Sequence, residues 1–156
     1  MFLTILLLLF QNKTEAILDK GYELYMDNKF MEAIEQFEQA AGLSPDNAEV
    51  YLLMGLAQHG AGMVEKSIST LLKAVEIDPE YREAYQEMGY IYLVSQAPQK
   101  AIEAYDKAIA LDSEVAELYV NRGTAKCMNN DPAGANKDWT KATELGVTYS
   151  KQMQCN

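Results

Sequence analysis

The side chains able to do covalent or acid–base chemistry are few. His59 is the single histidine, and Cys127 and Cys155 are the only cysteines. A histidine titrates near neutrality and could act as a general base. However, no serine, cysteine or carboxylate is spaced around His59 to complete a nucleophile–base–orienter set, and no glycine-rich phosphate loop occurs. The sequence therefore predicts no catalytic residues and no enzyme, with His59 a groove or hairpin-turn residue. A C-x-x-C pair is absent and one histidine cannot complete a zinc site, so no metal and no cofactor are expected. What remains is carboxylate chemistry. Asp and Glu total 23 against 13 Lys and Arg, a net charge of −10. That balance repels nucleic-acid phosphates and anionic membranes, which argues against both as partners and fits solubility or basic ligands better. Nothing points to a small-molecule substrate.

The elements that position these carboxylates recur every 34 residues. Gly21, Gly55, Gly89 and Gly123 form one column, and Glu15, Glu49, Glu83 and Glu117 another. Ala40, Ala74, Ala108 and Ala142 are a small-residue column, and Phe37, Leu71, Tyr105 and Trp139 a bulky one. A period of this length marks a repeat architecture. Within each repeat, apolar residues return at intervals of three and four, the spacing of an amphipathic helix. Gln96-Ala97-Pro98 and Asp131-Pro132 read as a break followed by a new helix with proline in its first turn. The pattern predicts an all-α fold with helix pairs near 14–27/30–42, 48–60/64–76, 82–95/98–110 and 116–129/132–144. Mid-helix glycine costs about 1 kcal/mol relative to alanine. Four in register imply that each makes room for a facing side chain, with the bulky column filling the seam between hairpins.

The 34-residue period, with small residues at its eighth, twentieth and twenty-seventh places and Pro45 and Pro79 at the thirty-second, resembles the tetratricopeptide repeat. The resemblance covers four consecutive repeats, 14–47, 48–81, 82–115 and 116–147. It departs at Lys20 and Arg122, where the family prefers leucine, and at Gly134 and Asn136, which weaken the last helix. It implies a right-handed superhelical solenoid of antiparallel helix hairpins, whose first helices line a concave groove that binds protein segments. On that basis the groove is expected at Tyr22 and Met26 in the first repeat and Leu52, Leu56 and His59 in the second. Gln86, Tyr90 and Leu93 carry it in the third, and Asn121 and Thr124 in the fourth. Glu15, Asp19, Glu49, Glu83, Glu87 and Glu117 form an acidic edge. A carboxylate in the first turn of a helix is also favoured by the helix dipole alone, whatever binds. Some members of the family clamp a peptide's C-terminal carboxylate with Lys and Asn. Here Leu18 and Tyr22, or Leu52 and Leu56, stand at those places, and Glu83 and Glu87 replace the cations, so carboxylate capture is not expected.

The expected function is a protein- or peptide-binding scaffold or adaptor, for a segment with apolar anchors and some basic residues. The alternative is self-assembly into a homo-oligomer through the apolar N-terminus or an uncapped last repeat. Residues 1–13 stand apart: "MFLTILLLLF" is too short to span a bilayer, and reads either as a signal-peptide remnant or as a packing helix. The first reading, with cleavage before Gln11, makes the protein exported or periplasmic; the second leaves it cytoplasmic. The stretch "DWTKATELG", 138–146, is similar to the closing repeat of exported repeat proteins of some Gram-negative bacteria. Residues 148–156 form a short tail. In an oxidising compartment, Cys127 and Cys155 would tie that tail to the last hairpin by a disulfide.

Overall fold

The structure, a computed structural model, describes residues 2–148 and Cys155. Among the described residues it contains eight helices and no strand. These are α1 Phe2–Met26, α2 Phe30–Leu43, α3 Ala48–Gly60, α4 Val64–Ile77, α5 Arg82–Val94, α6 Pro98–Leu111, α7 Ala116–Met128 and α8 Pro132–Glu144. The expected helix pairs are all present. The main difference is α1, which begins at Phe2, so the apolar run and the first helix of the first repeat are one continuous helix. Among the described residues, no helix is long and apolar enough to cross a membrane.

The chain divides into two compact units that part between Tyr81 and Arg82. In the first, α1 packs on α2 and α3 on α4, with α2 against α3; in the second, α5 packs on α6 and α7 on α8, with α6 against α7.

Each hairpin turn uses one device. Asn28, Gly62, Gln96 and Asn130, spaced 34 apart, all have φ between +57° and +77°. The residue after each sends its N–H back to a carbonyl five residues earlier: Lys29 to Leu24, Met63 to Gln58, Ala97 to Tyr92, Asp131 to Lys126. This is the left-handed Schellman closure, and it satisfies helix-end carbonyls that would otherwise lack partners.

Inside each hairpin the glycine column meets the bulky column of the same repeat. A Cβ on Gly21, Gly55, Gly89 or Gly123 would lie 2.5–2.8 Å from the nearest atom of Phe37, Leu71, Tyr105 or Trp139 respectively. The bulky residues therefore fill the gap within the hairpin, not merely the seam between hairpins. In the second unit Tyr105 serves both: it sits on Gly89 and joins Ala101, Ala108, Leu118 and Ala125 in one buried cluster.

Candidate protein-binding face

In the first unit, Tyr22 and Met26 stand one turn apart on α1 and are 50% and 61% exposed. Leu56 and His59 are half-buried on α3. Leu52 differs from expectation: it is buried, at 8% exposure, and belongs to the core of the unit. In this unit the fifth places of the repeats, Leu18 and Leu52, are buried, while the ninth places, Tyr22 and Leu56, are exposed and half-buried. Glu15 and Glu49 line one open recess of about 470 Å³ with Thr14, Leu18 and the turn 43–47. Thr14 and Ser44 close its side through a 2.9 Å hydroxyl–hydroxyl hydrogen bond. Asp19 is exposed and does not line it. Glu15 is not a first-turn residue, since α1 starts at Phe2, so the helix dipole does not account for it. Glu49 is in the first turn of α3, where Asn47 caps its backbone N–H.

In the second unit, Tyr90 and Val94 repeat the Tyr22–Met26 arrangement on α5, at 45% and 50% exposure. Gln86, Leu93, Asn121 and Thr124 are half-buried. Thr124 donates its hydroxyl to the Val120 carbonyl. Five expected residues from two helices converge: Gln86, Glu87 and Tyr90 of α5 with Glu117 and Asn121 of α7 line a recess of about 220 Å³. Glu83 lies outside it, held by Arg82 at 2.6 Å. Burial raises the pKa of the Glu87 carboxyl, and the neighbouring Glu117 charge raises it further.

Two groups here were not singled out from sequence. The Tyr105 hydroxyl is buried without a hydrogen-bond partner. Its phenol is pushed up by burial first, then by the charges of Glu87 and Glu117 and by Tyr90, so it stays protonated. The other is an ion cluster. Arg122 donates two hydrogen bonds to Asp138, at 2.8 and 2.7 Å, and one to Asp106, at 2.6 Å. Lys126 reaches Asp138 at 2.9 Å. Burial disfavours both charges, but the hydrogen bonds outweigh it: the Asp138 pKa is lowered and that of Arg122 raised. Arg122 stood out in sequence only as a departure from leucine; a cation facing an Asp 16 residues later was the available signal. At the end of α7, Cys127 is bonded to Cys155, with Cα atoms 5.5 Å apart.

Comparisons agree with this architecture. A TPR repeat family model matches residues 21–62, and a tetratricopeptide repeat model matches 48–81 and 83–115. No curated protein is a significant sequence match to the chain. Among solved structures, a crystal structure of MamA is 27% identical, with 86% of this chain and 79% of that chain covered and a TM-score of 0.80. A second crystal structure of MamA protein is 25% identical over 90% of this chain and 80% of that one, with a TM-score of 0.79. MamA 41-end from Desulfovibrio magneticus RS-1, at 23% identity, covers 85% of this chain and 75% of that one, with a TM-score of 0.76, and shares the fold. With its period, its hairpins and the family matches in agreement, the chain belongs to the tetratricopeptide repeat family.

Proposed function

We propose that the protein is a non-catalytic scaffold that binds a protein or peptide segment on the exposed faces of its first helices. The observation that carries this reading is the recurrence of an exposed apolar pair with a carboxylate one helical turn before its tyrosine: Asp19 before Tyr22 and Met26 on α1, Glu87 before Tyr90 and Val94 on α5. Exposed aromatic and aliphatic side chains repeated at equivalent places supply anchor contacts, which dominate binding energy. The carboxylates supply charge selection and faster encounter with basic partners. Selection from a random peptide display library tests this. Enriched peptides should combine apolar residues with Lys or Arg, and Tyr22→Ala or Tyr90→Ala should each weaken them by roughly tenfold. Enrichment of acidic peptides, or indifference to both substitutions, would remove the reading.

A second reading, self-assembly, is favoured by the continuity of the apolar run with α1. Light scattering of chains with and without residues 1–10 separates it from the first: a mass that falls on truncation supports it, and an unchanged monomer rejects it.

A further inference from the structure

The side of a first helix that meets the next first helix is visible on α5. Gln86 and Tyr90 line a recess with Glu117 and Asn121 of α7, and Leu93 packs on the buried cluster that holds Leu118 and Ala125 of the same helix. Thirty-four residues later the same three places are Val120, Thr124 and Cys127. Spaced four and three apart, they form one stripe of α7. Among the described residues α7 packs against α5, α6 and α8 alone, so no further first helix meets this stripe.

Two observations identify an occupant for it. Cys127, the last residue of the stripe, is bonded to Cys155, with Cα atoms 5.5 Å apart. The other is where the tail sets out. Helix α8 runs back along α7, and Glu144, its last residue, lines one recess with Tyr119 near the start of α7. Gly146, at φ +99°, ends that helix, and the Val147 N–H returns to the Ala142 carbonyl. The tail thus leaves beside the first turns of α7. Cys127 stands eight residues beyond Tyr119, about 12 Å further along the axis. Thr148 and Cys155 are seven residues apart; that length rises about 10 Å as a helix and reaches about 23 Å extended. The extended form covers the run along α7 and still rounds the helix to the stripe.

We propose that segment 149–154, which lies outside the described residues, docks in extended form on the Val120–Thr124–Cys127 stripe, in the place a following first helix would take, with the Cys127–Cys155 bond as its anchor. Its sequence suits the site. In an extended chain alternate residues share a side, so Tyr149, Lys151 and Met153 face with Cys155 toward α7. Tyr149 and Met153 bring apolar contacts to Val120 and Thr124. Lys151 is the only charged side chain in 149–156, in a chain of net charge −10, and Glu117 stands one turn before Val120. The covalent tether holds the segment at high local concentration, so a stretch too short to bind by itself stays in place. This intramolecular contact goes beyond the peptide-binding reading and does not depend on it.

Methyl NOE spectra of the full, bridged chain test this. The Met153 methyl should give cross-peaks to the Thr124 methyl, and the Tyr149 ring to the Val120 methyls. Cys155→Ser should weaken both several-fold, because the tether is lost. Met153→Ala keeps the bridge; it should shift the Thr124 methyl and leave methyls of the first unit unmoved. Absence of both cross-peaks in the bridged chain, or a Thr124 methyl indifferent to Met153→Ala, would overturn the docking. Cross-peaks found only between differently labelled chains in a mixed sample, or a bridged dimer on a non-reducing denaturing gel, would overturn it in favour of a second copy on this face. Cross-peaks undiminished in Cys155→Ser would remove the bond as the anchor.

Discussion

The hairpins α5–α6 and α7–α8 share a backbone plan and fill it with opposite chemistry. Met88, Tyr92 and Ala104 occupy three places in the first; Arg122, Lys126 and Asp138 occupy the same places in the second. Met88 and Ala104 are buried apolar residues. Asp138 is as buried, at 3%, yet it is a carboxylate holding two cations. The faces differ in the same sense. Ile102 and Ile109 of α6 pack beside α7, whereas Asn136 and Thr143 stand at those places on α8. Among the described residues no further helix covers α8. A hairpin that receives a neighbour offers it hydrocarbon; one without a described neighbour satisfies its buried polar groups internally. Ion pairs at such places are no proof of added stability, because desolvation offsets much of the attraction.

That contrast can be broken most severely at Asp138. Asp138→Ala leaves Arg122 and Lys126 partly buried without their main acceptor and should cost about 3–5 kcal/mol in chemical denaturation. Exchanging the whole cluster for the α5–α6 residues, as R122M/K126Y/D138A, should instead be neutral or stabilising by about 1–4 kcal/mol. A triple variant as unstable as Asp138→Ala would show that the two hairpins are not interchangeable. The same carboxylate sets an acid limit. Its folded pKa is depressed, so the unfolded chain takes up the proton first. Its contribution is complete above the ordinary carboxylate range and is lost as pH falls through the lowered folded value. Glu87, raised by burial and Glu117, acts in the opposite sense: the folded state binds its proton first, which adds stability on acidification. Melting temperature measured across the acid range should therefore fall less steeply for Asp138→Asn, and more steeply for Glu87→Gln, than for the parent.

The Cys127–Cys155 bridge sharpens the comparison, since only the last hairpin carries one. It closes a sequence separation of 28 residues. The chain-entropy relation gives about 3.6 kcal/mol for such a loop. Cys155→Ser should lower the denaturation midpoint accordingly and leave the first unit's exchange-protected amides unchanged. The smallest effect is expected at Gln96, which holds a left-handed φ of +57° that Gly62 adopts without a side chain. Gln96→Gly should stabilise the α5–α6 hairpin by up to about 1 kcal/mol, read from thermal melts.

Much of the fold is legible in the sequence. The glycine and bulky columns announced four hairpins, and Pro98 and Pro132 marked helix starts that the structure places at those residues. The turn column was harder to read, because Gln96 carries none of the usual left-handed preference that Asn28 and Gly62 advertise. The binding face was legible as a set of places but not as exposures. Tyr22 and Tyr90 proved open and Leu52 buried, since the path of neighbouring helices decides coverage and the helix pattern does not.

The sequence by itself determined the period, the helix pairs and the excess of carboxylate, because helical dihedrals and amphipathic spacing are relations among residues a few places apart. Only the tertiary structure decided that Glu87 and Glu117, 30 residues apart, share one recess, that the Tyr105 hydroxyl is buried without a partner, and that Asp138 is an ion-pair centre and not a solvated charge. Desolvation, hydrogen-bond pairing and shifted pKa values depend on the distances between helices, and those distances arise only when the glycine columns let each bulky side chain close its hairpin.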